Sequence, residues 1–132
     1  MKVRTEEIDG KPYAIIQFSK LLKPSTNGYY SGNDEESVER ENYFVDDLNT
    51  KLIEFYKREN AKSVVDFGCG LCAYAKNLKK AGIPTVEGYD GNPFTVQLTS
   101  GFAGVLDLSV KRDLGKRFEW VQSFEVGQQI PP

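Results

Sequence analysis

The sequence predicts an α/β domain, a parallel sheet with helices on both faces. Three observations carry that expectation. From Lys62 onward, short apolar and β-branched runs alternate with helix-patterned stretches across short loops, the rhythm of parallel strands joined by helical crossovers. The first of these runs passes straight into Gly68-Cys69-Gly70, a turn that lets backbone bend sharply where a Cβ would collide. Each of the first three runs carries an aspartate at or near its end: Asp66, Asp90 and Asp107. Open parallel sheets bind ligands outside the carboxyl ends of their strands, where strand order reverses, so these acids and this turn form the candidate site.

The elements follow in order. Residues 1–34 read as an N-terminal hairpin and loop, and residues 35–132 as a helix leading into the α/β unit, together one structural domain. Val3 to Glu7 and Tyr13 to Phe18 flank Asp9-Gly10, a dipeptide suited to the positive φ of tight hairpin turns. Residues 19–34 are rich in Pro, Ser, Asn and Gly and read as a loop. From about Asp34 to Asn60 the pattern is helical. Val45, Leu48, Leu52, Phe55 and Tyr56 form one apolar stripe, Asn33 or Asp34 caps it, and Glu35, Glu36 and Glu39 suit the dipole of the early turns. Ser63–Phe67 has the apolar, β-branched character of a buried parallel strand. A helix follows from near Ala73, with Tyr74, Leu78 and Ala81 on its inner face and Gly82 as its stop. Thr85–Tyr89 is a second strand. Asn92-Pro93 opens a short helix through about Leu98, Gly104–Asp107 is a third strand, and Phe118–Phe124 a fourth.

Composition narrows the function classes. The chain has 132 residues, 17 Lys+Arg and 19 Asp+Glu, and this near-neutral balance gives no electrostatic case for nucleic acid or an anionic membrane. The start, MKVRTEEIDG, lacks the apolar stretch of a secretory signal, and no apolar run approaches a bilayer-spanning length. A cytoplasmic setting is expected. Histidine is absent, which removes imidazole as base or metal ligand, and one C-x-x-C leaves a zinc site half filled. No metal is expected. Cys69 and Cys72 read as two small buried or half-buried residues in a reducing compartment, too close in sequence to staple the fold.

The turn itself admits three readings. Gly68-x-Gly70-x-x-Ala73 fits a dinucleotide fingerprint, with Asp90 lying 20 residues after Gly70. Cys69-Gly70-Leu71-Cys72 between a strand and a helix fits a thioredoxin-like motif, although Pro84 and Pro93 come too early to supply that fold's proline loop. Asp66-x-Gly68-x-Gly70 fits a third pattern, an acid two residues before the first glycine. In an open parallel sheet the helix near Ala73 is expected to offer unpaired N–H groups to a ligand, and the acid ending the second strand is placed to accept ribose hydroxyls.

The run VVDFGCGLCAYAKNLKKAG, followed by VEGYDGNP, GVLDLS and FEWVQSFEVGQQIP, resembles the first half of a class I S-adenosylmethionine-dependent methyltransferase. The resemblance covers about residues 60–131, with gaps of 24, 17 and 18 residues separating Asp66, Asp90, Asp107 and Glu125. It implies a Rossmann-like parallel sheet with flanking helices, of class I methyltransferase type, cut short after strand 4. It also implies S-adenosylmethionine as cofactor and methyl transfer as the reaction. Residues matching Asp66, Gly68, Cys69 and Gly70 then surround the methionine end, Asp90 with Gly91 and Asn92 holds the ribose, and Asp107 and Leu108 flank the adenine. Phe124 borders the transfer site, and Glu125 is the one acid to test for catalysis.

Several residues depart from the family pattern. Cys72 replaces a glycine, which would cost about 1 kcal/mol or more if that position needs positive φ. Glu119 stands where Asp is usual. Gln122 occupies a strand position that is usually apolar, where an unsatisfied amide would cost about 1–3 kcal/mol. Relatives continue through three further strands, so the fourth strand is expected to be an exposed edge carrying Trp120 and Val121, through which the chain self-associates. The alternatives are a non-catalytic methyltransferase-like binding module and a nicotinamide-binding domain. Tyr29, Tyr30, Tyr43 and Phe44 either pack the N-terminal helix onto the sheet or line a lid.

Overall fold

The computed structural model describes residues 2–17 and 44–124. The loop with Tyr29 and Tyr30, the expected cap at Asn33 or Asp34 with its glutamates, Tyr43 and Glu125 lie outside the described residues.

Strands β1 (Lys2–Ile8) and β2 (Lys11–Gln17) form the expected antiparallel hairpin, with Ile8 opposite Lys11. Asp9 and Gly10 both have positive φ, 51° and 75°, the geometry whose twist matches that of the flanking strands.

Helix α1 (Asp46–Arg58) does not run unbroken from Asp34 as the periodicity suggested. Val45 is extended, with φ −120° and ψ 115°, and its N–H donates to the Tyr74 hydroxyl at 2.8 Å. A β-branched residue whose amide is pinned from outside begins a helix rather than continuing one. Asp46 and Asp47 now occupy the first turn, where the dipole favours anions.

The main sheet comprises β3 (Ser63–Phe67), β4 (Thr85–Asp90), β5 (Gly104–Val105) and β6 (Trp120–Gln122), in the order β5-β4-β3-β6 with every pairing parallel. Order reverses between β3 and β6. This is the Rossmann-like arrangement that the alternating pattern predicted. The connecting helices are α2 (Ala73–Lys80) and the single turn α3 (Thr95–Leu98). All three described helices end alike, with left-handed Asn60, Gly82 and Ser100 after the caps. The next amides, Ala61, Ile83 and Gly101, return to the carbonyls of Tyr56, Leu78 and Val96, so the last turns keep their hydrogen bonds.

Helices α1 and α2 cover one face of the sheet. Val64, Cys72, Ala75, Leu78, Val86 and Tyr56 form its core, and Trp120 packs edge-on against Phe55 and Tyr56 at 5.0 and 5.8 Å. On α2 the buried pair is Ala75 and Leu78, while Tyr74 and Ala81 are half-buried at its margins. The β5–β6 connection, residues 106–119, contains no helix. Gly115 turns that stretch with φ 71°. From it Lys116 reaches Glu87 at 2.7 Å on the second face. The third strand is two residues long rather than four, because Asp107 bends into a turn accepting the Ser109 N–H and hydroxyl. The fourth strand is trimmed to three residues. It is terminal in the sheet, yet Trp120 is covered by α1 and only Val121, 52% exposed, shows the expected bare edge.

Candidate functional site

Parallel pairing of β3 with β4 brings the glycine turn and Asp90 together at the carboxyl edge. Gly68 and Gly70 are left-handed, with φ 78° and 57°. Cys72 is left-handed too, with φ 58°, a conformation that costs a non-glycine residue about 1 kcal/mol or more. It is fully buried at the head of α2.

Four amides of the turn pair internally. Gly68 and Cys69 donate to the Tyr89 carbonyl at 2.7 and 3.1 Å, and Cys72 donates to the Cys69 carbonyl at 2.7 Å. Gly70 donates to Asp90 Oδ2 at 2.8 Å. The turn closes on the protein's own acceptors because β4 delivers a carbonyl and a carboxylate to it in register. Asp90 also accepts the Asn92 N–H on Oδ1 at 2.9 Å, and Asn92 in turn accepts the Phe94 N–H at 2.9 Å. Both side chains are buried, and Gly91 links them. Asp90 is therefore a carboxylate oriented by two backbone amides.

Cys69 and Cys72 form a disulfide across this turn. The sequence suggests two small buried or half-buried residues, and its C-x-x-C spacing is the signal for their pairing. A loop this short restricts the unfolded chain modestly, roughly 2 kcal/mol, so the bond braces the turn rather than the fold. Its sulfurs press on β4: a Cβ at Gly88 would collide with Cys72 Sγ and stand 3.0 Å from Cys69 Sγ.

Asp66 faces the same interior. It is 2% exposed and accepts from Gln122 Nε2 at 3.0 Å, while Gln122 Oε1 accepts from the Tyr56 hydroxyl at 2.9 Å. The amide that the sequence flagged as out of place is thus satisfied at both ends. Burial pushes the Asp66 carboxyl up to about 7; the Gln122 hydrogen bond works against this and the nearby Asp90 adds to it. Burial, then the negative charge of Asp66, holds the Tyr56 hydroxyl well above the usual phenol range. Asp66 is consequently a buried acid balanced between its two forms near neutral pH, able to exchange a proton or answer a nearby cation. Gln122 and Tyr56 escaped the site reading because their pairing spans 66 residues of sequence.

At the margin, Phe124 meets the Tyr74 ring edge-on at 5.5 Å and Phe44 stacks on Tyr74 at 4.9 Å. Asp107 and half-buried Leu108 lie beyond β5, whose continuation is fixed by the Leu106 N–H donating to the Asp90 carbonyl at 2.9 Å. Among the described residues there is no cluster of three metal-ligating side chains and no helix long and apolar enough to cross a membrane.

No protein-family model and no curated protein matches the chain. Eight chains of solved structures match. One is a SAM-bound amino pentose methyltransferase from Micromonospora echinaspora involved in calicheamicin biosynthesis. It is 24% identical, with a TM-score of 0.48, and the match covers 59% of this chain and 35% of that one. The fold assignment here rests on the strand order of the sheet itself.

Proposed function

We propose that the carboxyl edge of this sheet binds the adenosyl moiety of S-adenosylmethionine and that the chain carries the cofactor-binding half of a methyl-transfer domain. The observation that supports it is the meeting of Asp90, Asp66 and the glycine turn beside the reversal in strand order. Asp90, oriented by the Gly70 and Asn92 amides, is the acceptor for the ribose hydroxyls. Asp66, raised by burial, gains from a cationic neighbour, and the ligand's sulfonium and ammonium are cations. Gly68, Cys69 and Gly70 shape the path of the chain around the methionine end, and Asp107, Leu108 and Phe124 border the adenine and the transferring methyl. The cofactor supplies the reactive methyl; the protein's part is orientation. Glu125 is the acid to test for catalysis.

A second reading is favoured by the closed turn. With the Gly68, Cys69, Gly70 and Cys72 amides all committed internally, a non-catalytic methyltransferase-like module fits as well. Calorimetric titration with S-adenosylmethionine separates the cases. Micromolar binding with turnover supports transfer, binding without turnover supports the module, and absence of binding removes both.

A further inference from the structure

The glycine turn holds the candidate ligand's acid partner and the disulfide in one small loop. Gly70, whose N–H is mated to the Asp90 carboxylate, lies between the two bonded cysteines. Cys72 holds a left-handed conformation that an L-residue adopts at a cost, and the bond to Cys69 helps hold it there. The sulfurs fill the hollow over Gly88, where not even a Cβ would fit. Two thiols, separated by van der Waals contact instead of a covalent bond, need more room than the disulfide. The hollow against β4 cannot give it, so the turn must. The two sulfurs also differ in access: Cys72 is fully buried, whereas Cys69 is partly exposed.

We propose that Cys69–Cys72 is a reducible thiol/disulfide site that opens and closes the turn, taking a dithiol as its reductant. A thiolate of the dithiol attacks Cys69 Sγ, the accessible sulfur. The Cys69–Cys72 bond breaks, and Cys72 leaves with the electron pair at the head of α2, where the helix dipole favours negative charge, before taking up a proton. The second thiol of the reductant then displaces Cys69 from the mixed disulfide. The dithiol ends as its own disulfide, having supplied two electrons and two protons, and both cysteines end as thiols. In the oxidised form Gly70 stays locked on Asp90. In the reduced form the turn relaxes, the Gly70 N–H separates from Asp90, and both groups become available to a ligand at the edge. The thiol chemistry stands independently; its ligand consequence rests on the adenosyl reading.

Amide hydrogen exchange of the full chain, followed by NMR before and after dithiothreitol, tests the switch. The Gly70 amide should exchange at least about tenfold faster after reduction while Val65 and Val86 keep their protection. Cys69→Ser, measured without reductant, should reproduce the reduced pattern. Unchanged Gly70 exchange overturns the proposal. So does loss of protection throughout the sheet, which would make the bond a general structural brace. Glutathione should be trapped on Cys69 by peptide mapping, and trapping on Cys72 overturns the order of attack. Titration with S-adenosylmethionine should show tighter binding to the reduced chain, and tighter binding to the oxidised chain refutes the gating. A Gly70 response without binding in either state sinks the adenosyl reading and leaves the redox site standing. Equal binding with an unresponsive Gly70 does the reverse.

Discussion

Asp66→Asn isolates the most consequential charge in the interior. In the folded chain the Asp66 carboxyl is raised from 3.8 to about 7 by burial. Between those values the unfolded chain has released a proton that the native chain still holds. The Asp66 contribution to stability is therefore greatest below about pH 4, declines as pH rises toward about 7, and levels off above it. At ~1.4 kcal/mol per pH unit the interval amounts to about 4 kcal/mol. This is a large fraction of the 5–15 kcal/mol (roughly) that holds a small domain together. Asparagine keeps a side-chain oxygen to accept from Gln122 Nε2 and has no proton to lose. Urea unfolding of both proteins across about pH 4 to 8 should give curves that coincide at the acid end and diverge with rising pH, the variant becoming the more stable by up to about 4 kcal/mol. Because every other titrating group is common to both proteins, their difference reports Asp66 alone. Parallel curves, or a wild type that gains on the variant as pH rises, would refute a buried and raised Asp66.

Three other substitutions probe the remaining contacts. Gly88→Ala drives a methyl into the disulfide and should destabilise by about 1–3 kcal/mol, read as a lowered Tm; an unchanged melt would mean the sulfurs do not sit on β4. Asp90→Ala removes the acceptor of the Gly70 and Asn92 amides. It should cost about 1–3 kcal/mol of stability and weaken adenosyl binding by about the same amount, and unaltered affinity would take Asp90 out of the site. Val121, 52% exposed on the terminal strand, should drive concentration-dependent association that Val121→Lys abolishes. Identical sedimentation of the two proteins would argue against the edge as a contact.

Local signals in the sequence carried some features well and others only in part. Asp9-Gly10 specified the hairpin turn because positive φ at two adjacent residues is a property of the dipeptide itself. The SVVDF run announced a parallel strand because a buried strand is apolar and β-branched along its length. Boundaries were less legible. Val45 ends the α1 pattern early because Tyr74, 29 residues away, takes its amide. Asp107 leaves β5 because Ser109 offers it a turn.

What the sequence alone determined is therefore the order of elements, the parallel sheet, and the identity of the acids at its edge, all set by periodicity and by short-range backbone chemistry. Only the folded chain decided how those groups are used. It mated Gly70 with Asp90, joined Cys69 to Cys72, placed Cys72 in the left-handed region and gave Asp66 its partner in Gln122. Each of these depends on which strands lie side by side and on how deeply they are buried. Register and dielectric arise from packing across tens of residues, and no local window of sequence contains them.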